Sequence, residues 1–262
     1  MAMRLSVVMI HGAFCGGWAF DAWRPLFAAQ GFDVHAPTLR YHEPGSPLDK
    51  LARTGMRDYA ADLAALLDRI GGAPIVIGHS LGGLLAQMLA AQGNVRALIL
   101  LAPSAPWGML PSMASEFLAA QALYADGMFW RKSLAPKHWV AAANALDLVP
   151  EEKRESILER LVPESGLAMF EVLHWMFDGS RATYVDPRAV ACPILCLVGA
   201  RDRINPPPTV RRIARRYGGR ARYEELPDHS HWLVGEPGWE RMAAGSLAWL
   251  SQILGRDPQR VL

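Results

Sequence analysis

The sequence predicts an α/β protein built on a mostly parallel central sheet of about six strands, flanked by helices. The main observation is that short apolar runs alternate with stretches of helical periodicity, as parallel strands with helical crossovers require. The second is that apolar residues make up 51% of the 262 residues and charged residues 20%, an ordinary globular composition. The alternation stops between residues 104 and 188 and then resumes, which indicates one core with a single insertion.

Most of the predicted strands are short runs of apolar or β-branched residues, and the last one is more polar. The runs are residues 5–10, 33–36, 74–77, 97–102, 193–198 and 222–226. The predicted helices between and after them are residues 18–30, 59–70, 84–91, 211–217 and 239–254. The segment 59–70 is the clearest helix, because Tyr59, Leu63, Leu67 and Ile70 recur at the spacing of one helix face.

The break in the alternation divides the chain into two predicted parts. Residues 1–103 and 189–262 form the core, and residues 104–188 form a helical cap, without a convincing strand, over the carboxyl ends of the strands. Most of the many methionine and aromatic side chains of this segment pack the cap onto the core, and the surplus predicts an apolar pocket. The predicted pocket residues, from the cap and its surroundings, are Phe14, Trp107, Phe129, Trp130, Trp175 and Trp232.

The net charge and the cysteine content indicate which binding partners and which cellular compartment to expect for this protein. The chain has 27 basic and 25 acidic residues, a net charge of +2, so nothing favours binding to nucleic acid. Three cysteines are few and odd in number, which indicates a reducing compartment, and we predict a cytoplasmic protein. The apolar stretch near the N-terminus is too short for a signal peptide, and no run approaches the roughly 18 apolar residues of a membrane span. The sequence leaves open whether the protein is a monomer or a homodimer.

A serine flanked by glycines lies between a predicted strand and a predicted helix. In the stretch Gly78–Gly83, GHSLGG, Ser80 occupies a turn that is sharp enough to require small residues two positions before and after it. Such a turn holds a serine in a strained conformation and directs the amide of Leu81 towards the start of the helix, where negative charge is favoured. A serine that only caps the helix would not need Gly78, Gly82 and Gly83 together. We therefore predict that Ser80 is a nucleophile and Leu81 an oxyanion donor.

A second glycine motif follows the first predicted strand and reads HGAFCGGW from His11 to Trp18. By itself it is an ordinary loop, but beside a nucleophile turn it is the natural source of a second oxyanion donor. The backbone amide of Ala13 is the predicted donor. Phe14 is either the alternative donor or a wall of the pocket.

A serine nucleophile needs a base, and the base needs an acid that orients it. Asp202 follows a buried predicted strand and precedes a helix that begins with proline, a position where sheet proteins place functional groups. Two histidines near the end of the chain, His229 and His231, compete for the role of base. Asp228 is a weaker acid candidate because it lies too close to His231 in sequence.

Taken together, these residues resemble the α/β-hydrolase superfamily over nearly the whole chain. The motifs that carry the resemblance, in order, are HGAFCGGW (11–18), GHSLGG (78–83), LVGARD (197–202) and HWLVGEP (231–237). In that family an acidic residue and a proline often follow the catalytic histidine by several positions, so Glu236 and Pro237 favour His231 over His229. The resemblance implies a Ser80–His231–Asp202 triad that needs no cofactor and no metal.

The first predicted strand leads directly into HGAFCGGW, and this resembles the branch that holds plant methyl esterases, hydroxynitrile lyases and many bacterial esterases. The lyases carry a threonine where this chain has Gly12 and a lysine where it has Trp232, so lyase chemistry is disfavoured. The resemblance thus implies a serine hydrolase that cleaves carboxylic esters through an acyl enzyme. The methionine and aromatic residues of the predicted cap favour apolar or aromatic esters. Perhydrolase or haloperoxidase activity, hydrolysis of an amide or a carbon–carbon bond, and a ligand receptor on the same fold remain alternatives.

Overall fold

The computed structural model describes residues 4–125 and 127–255. Its strands, in chain order, are β1 Ser6–Ile10, β2 Asp33–His35, β3 Ile75–His79, β4 Ala97–Leu101, β5 Ser133–Leu134, β6 Glu164–Ser165, β7 Ile194–Gly199 and β8 Ala221–Leu226. Its α-helices are α1 Trp23–Ala29, α2 Leu48–Leu51, α3 Met56–Ile70, α4 Leu81–Ala91, α5 Ala114–Tyr124, α6 His138–Asn144, α7 Glu151–Leu158, α8 Gly166–Leu173, α9 Pro207–Arg216 and α10 Trp239–Ile253. Short 3-10 helices cover Gly17–Phe20, Phe129–Arg131, Trp175–Phe177 and Gly218–Arg220.

Six of the strands form one sheet in the order β2-β1-β3-β4-β7-β8, and all of its pairings in the described residues are parallel. The register places Val8 beside Val76 and Ile77 beside Ile99. Parallel pairing aligns the carboxyl ends of the strands at one edge of the sheet. Ser80 lies at this edge, because it directly follows β3. The predicted α/β architecture with a mostly parallel sheet of about six strands is confirmed.

The central strands are continuous apolar runs because helices cover both faces of the sheet. Alternate residues of β1 face opposite sides: Val8 and Ile10 pack towards α3, α4 and α9, whereas Val7 and Met9 pack towards α1 and α10. The edge strand β8 is only partly buried, which explains its more polar sequence. Each large core side chain that folding buries, such as Trp23, contributes about 1.5–3 kcal/mol.

Between β4 and β7, the chain forms four α-helices and a two-stranded antiparallel sheet within the described part. We call residues 104–188 the insertion segment. Strand β5 pairs with β6, with Leu134 beside Glu164, so the expectation that no strand occurs here was wrong. Strands of two residues are too short to leave a period-two pattern in the sequence. The division into a core and a cap stays a prediction, and residues 1–3, 126 and 256–262 of the predicted ranges lie outside the described residues.

All three cysteines, Cys15, Cys192 and Cys196, are buried and free. Their thiols are surrounded by the core, and burial raises their pKa values above the ordinary range. None of the helices in residues 4–125 and 127–255 has the length and apolar content needed to span a bilayer.

Candidate active site

Ser80 lies at the junction of β3 and α4, between His79 and Leu81. Its backbone has φ 53° and ψ −116°, a positive φ that a residue with a side chain rarely adopts. Such strain typically costs about 1–3 kcal/mol and persists only where neighbours enforce it. Here the Ser80 amide donates to the Leu101 carbonyl at 3.0 Å, and the Ser80 carbonyl accepts from the amides of Gly83 (2.9 Å) and Ser104 (3.0 Å).

The glycines around Ser80 allow three backbone segments to meet. A Cβ atom at Gly78 would lie 2.2 Å from the Gly82 carbonyl oxygen, and one at Gly82 would lie 2.2 Å from the Ile10 carbonyl oxygen. A Cβ at Gly12 would lie 3.2 Å from the Cβ of Ser80, so the loop after β1 reaches the serine itself. The two glycine motifs of the sequence therefore meet in space.

Asp202 and His231 form a buried pair beside this junction. The Nδ1 atom of His231 lies 2.8 Å from Oδ2 of Asp202, and both side chains are almost fully buried. The other carboxylate oxygen, Oδ1, accepts hydrogen bonds from the amides of Ile204 (2.8 Å) and Asn205 (2.9 Å). Three donors therefore hold the carboxylate, and the ring of His231 turns Nδ1 towards Asp202 and Nε2 away from it.

The other histidine and the other acid of the same loop lie apart from this pair. His229 is buried, and neither of its ring nitrogens has a partner among the described residues. Asp228 is exposed. Burial lowers the pKa of His229, so this imidazole is neutral. The geometry thus favours His231 over His229 as the partner of Asp202.

Two further histidines, His11 and His79, form hydrogen bonds with backbone groups around the site. The amide of Leu39 donates to Nε2 of His11 at 3.0 Å, and Nδ1 of His11 donates to the Gly12 carbonyl at 2.8 Å. Nε2 of His79 donates to the backbone carbonyl of His231 at 2.8 Å. Burial lowers the pKa of His11 to about 4 and that of His79 to about 3, so both are neutral and act as hydrogen-bonding supports.

The predicted oxyanion donors, Ala13 and Leu81, lie on the wall of the cavity that also contains Ser80 and His231. Leu81 is the first residue of α4, so its N–H has no partner within the helix. The amide of Ala13 meets no acceptor in the described parts of the chain. The alternative donor, the amide of Phe14, is occupied: it donates to Oε2 of Glu164 at 3.3 Å.

This cavity has a volume of about 450 Å³ and a mainly apolar wall. Of the predicted pocket residues, Phe14, Trp175 and Trp232 line it. Trp107, Phe129 and Trp130 do not. Trp107 packs on Trp175 and on Tyr184, while Phe129 and Trp130 pack on each other and on Phe170. The residue types predicted that these rings would pack against apolar neighbours. They did not predict whether each ring would face the cavity or another side chain.

Sequence reasoning missed other parts of the wall. Several apolar residues of the insertion segment line the cavity, namely Met109, Val140, Leu146, Leu161, Met169, Met176 and Phe177. Phe177 is 72% exposed, so it lies where the cavity meets solvent. Polar side chains of Tyr124, Asn144 and His174 also contribute. The insertion's helices carry no motif that distinguishes these positions from their neighbours.

Similarity to known proteins extends over nearly the whole chain in structure and over part of it in sequence. A pyrethroid hydrolase of Sphingobium wenxiniae is 42% identical over 85 residues, 32% of this chain and 30% of that protein. The salicylic acid-binding protein 2 of Nicotiana tabacum is 37% identical over 81 residues, 29% of this chain and 30% of that protein. The chain thus matches less than a third of the length of either curated relative.

Among solved structures, a methylesterase from Arabidopsis has a TM-score of 0.72 at 18% identity, covering 94% of this chain and 99% of that one. At such low identity, this likeness supports the fold alone. The sequence model of the alpha/beta hydrolase family matches residues 7–244. Together with the parallel sheet and the glycine-bounded serine between β3 and α4, this match shows that the chain belongs to the alpha/beta hydrolase family.

Proposed function

We propose that the protein is a serine hydrolase that cleaves carboxylic esters with apolar or aromatic groups. The observation that carries the proposal is the buried 2.8 Å pair of His231 and Asp202, which opens into the same cavity as the strained Ser80. A carboxylate that orients an imidazole next to a strained serine is the arrangement of a nucleophile with its base.

In the proposed reaction, His231 takes the proton of Ser80 while Oγ attacks the ester carbonyl. Asp202 keeps the imidazole in the Nδ1–H tautomer and stabilises the cation that forms. The amides of Leu81 and Ala13 bind the negative oxygen of the tetrahedral intermediate, where one such donor is typically worth about 10²- to 10³-fold in rate. The alcohol leaves with a proton from His231, and a water activated by the same histidine releases the acid.

We infer that the insertion segment acts as a cap that shapes the substrate. It supplies the methionines and several of the aromatic side chains of the wall, and the unbranched, flexible methionines adapt to ligands of different shape. A mainly apolar wall favours hydrophobic or aromatic esters over sugars or peptides. One curated relative is named a pyrethroid hydrolase, which supports a hydrolase function.

Covalent labelling with a fluorophosphonate probe tests the nucleophile. We expect stoichiometric labelling of the wild-type protein and none of Ser80→Ala, because the probe reacts with a serine that has a base and an oxyanion site. Ser246→Ala is a matched control, since Ser246 is a buried serine that does not line the cavity and whose hydroxyl has no partner among the described residues. A folded wild-type protein that is not labelled, or equal labelling of Ser80→Ala, would contradict the proposal.

The tobacco relative is named for binding salicylic acid, so a ligand receptor on this fold remains the rival function. A panel of p-nitrophenyl esters and lactones separates the two functions. Turnover that disappears in Ser80→Ala supports the enzyme, with higher kcat/KM for apolar than for charged acyl groups. Binding of aromatic acids without turnover of any ester in the panel would support a receptor instead.

A further inference from the structure

A fully buried carboxylate, Glu164, lies outside the proposed triad and belongs to strand β6 of the insertion segment. Its oxygens accept four hydrogen bonds. Oε1 accepts from the Tyr59 hydroxyl (2.8 Å) and the Ser165 amide (2.7 Å), and Oε2 accepts from His42 Nε2 (3.0 Å) and the Phe14 amide (3.3 Å). A buried carboxylate is tolerated only when it is paired and fully hydrogen-bonded, and this one is.

The last of these bonds connects the insertion segment to the loop that carries Ala13. Phe14 has a positive φ of 61°, so its backbone needs external support. Both backbone groups of Phe14 are held by the insertion segment: its amide donates to Glu164, and its carbonyl accepts from the Val162 amide at 2.9 Å. The peptide unit between Ala13 and Phe14 is therefore fixed in orientation from one side.

The hydrogen bonds that hold Phe14 determine which backbone amide is free to face the cavity. The amide of Phe14 points to Glu164 and is not available to an oxyanion, whereas the amide of Ala13, one residue earlier, meets no acceptor in the described parts of the chain. The N–H of Ala13 belongs to the preceding peptide unit, which shares the Cα atom of Ala13 with the unit that is held. A shift of the held unit moves this Cα atom and with it the neighbouring N–H. The carboxylate thus controls the geometry of a predicted oxyanion donor without touching the substrate.

A carboxylate close to a developing oxyanion would oppose catalysis if its charge were not balanced. His42 balances it, because both of its ring nitrogens donate: Nδ1 to the Arg40 carbonyl (3.0 Å) and Nε2 to Glu164. Burial acts to raise the pKa of Glu164, but the charge and hydrogen bond of His42 outweigh burial, and that pKa is lowered. Glu164 and His42 together therefore form an ion pair with no net charge.

We propose that Glu164 is a positioning residue for the oxyanion site, which holds Phe14 in its left-handed conformation so that the Ala13 amide faces the ester oxygen. This rests on the proposed ester hydrolase function. A loosened loop should weaken binding of the transition state more than binding of the substrate, because only the transition state carries the negative oxygen.

The test compares Glu164→Gln with Glu171→Gln. Gln keeps the shape of Glu164 but has a single acceptor oxygen, because an NH2 group replaces the other one. The Phe14 amide therefore either loses its acceptor or keeps a neutral one that holds it less strongly. Glu171 is the matched control, because it also lies on the insertion segment and accepts a core amide, that of Met56 at 2.6 Å, without contacting the oxyanion loop. The measurements are kcat, KM and the affinity for a trifluoromethyl ketone, which forms a tetrahedral oxyanion adduct with the serine.

For Glu164→Gln we expect kcat to fall by about 10-fold or more, a fraction of the roughly 10²- to 10³-fold that a lost donor costs. KM should change by less than about threefold, and affinity for the ketone should fall by the same factor as kcat/KM. Glu171→Gln should keep kcat within about twofold. Folding is monitored by circular dichroism and thermal unfolding.

A folded Glu164→Gln protein with unchanged kcat overturns the proposal, and so does an equal loss in Glu171→Gln, which would indicate general docking of the insertion segment. If Glu164→Gln does not fold, Tyr59→Phe carries the test, because it removes one donor that holds the same carboxylate. A threefold or greater loss of kcat with unchanged KM supports the proposal, and unchanged kcat overturns it. Labelling and turnover by the wild-type protein test the proposed function separately.

Discussion

Two buried carboxylate–histidine pairs of similar geometry lie within this molecule. His231 Nδ1 is 2.8 Å from Asp202, and His42 Nε2 is 3.0 Å from Glu164. They differ at the second ring nitrogen. Nδ1 of His42 donates to the Arg40 carbonyl, whereas Nε2 of His231 has no partner among the described residues and its ring lines the cavity with Ser80. A fully donating imidazole is a cation that holds structure, and only one with a free lone pair can act as a base.

The largest expected effect comes from removing the imidazole of His231, the proposed base. His231→Ala should lower kcat by at least about 10³-fold, because no other base lies beside Ser80 in the proposed mechanism. His229→Ala is the control from the same loop and should stay close to wild type. Steady-state hydrolysis of a p-nitrophenyl ester measures both. A comparable loss in His229→Ala alone would mean that the wrong histidine was assigned to the proposed triad.

The next largest expected effect is a loss of stability when the pair of His42 and Glu164 is broken. His42→Gln should lower the free energy of unfolding by about 3 kcal/mol, because Glu164 is left buried without a cation. Urea unfolding at about pH 5.5 measures this loss. The double variant His42→Gln/Glu164→Gln serves as control and should recover part of the stability, because it buries no unpaired charge. No change in unfolding free energy in the single variant would show that the pair is not charged.

The pH of this measurement follows from the directions of two pKa shifts. Burial acts to lower the pKa of His42, but Glu164 outweighs burial and raises the pKa above 6.5, so this stabilisation is complete below pH 6.5 and is lost as the pH rises through the folded value. The pKa of Glu164 is lowered from 4.5, so its stabilisation is present above pH 4.5 and is lost as the pH falls through the folded value. Both contributions are complete between these limits.

The smallest expected effect tests a buried carboxylate that has no imidazole partner. Glu236 accepts from the Ser230 amide through both oxygens, at 3.0 and 3.1 Å, and burial raises its pKa to about 7. Since this pKa is raised from 4.5, the stability that Glu236 contributes is complete below pH 4.5 and is lost as the pH rises through about 7. Glu236→Gln keeps an acceptor for Ser230 but cannot ionise.

Between pH 5 and 8, the wild-type protein should therefore lose about 2 kcal/mol more unfolding free energy than Glu236→Gln. Urea unfolding of both proteins at both pH values gives the difference. The comparison removes the contribution of other titrating groups, because they are common to the two proteins. Equal losses would mean that Glu236 is already ionised at low pH, as Glu164 is beside His42.

The sequence predicted the core well because its signals are local. A buried parallel strand is a short apolar run, and the Ser80 turn needs Gly78 and Gly82 within a few residues of the serine. Glu164 left no such signal. Its partners Tyr59 and His42 are 105 and 122 residues away in sequence, and a single acidic residue is most often a solvated one.

The wall of the cavity was the least predictable part for a related reason. Trp107 and Trp175 are residues of the same type, yet of the two only Trp175 lines the cavity. Trp107 packs against the ring of Trp175, and the guanidinium of Arg181 lies 4.7 Å from the centre of the Trp107 ring. Which side of a ring faces the cavity depends on how the insertion segment packs on the core. That packing is set by contacts between distant residues, which hydrophobic periodicity does not record.

The bonds from Val162 and Glu164 to Phe14 have a practical consequence for protein engineering. An obvious way to change the substrate range of such a protein is to exchange the insertion segment with that of a relative. Here the exchange would also remove both hydrogen bonds that hold the backbone of Phe14. A chimera should therefore keep residues 162–165 and the three core partners of Glu164, and place its junctions on either side of them.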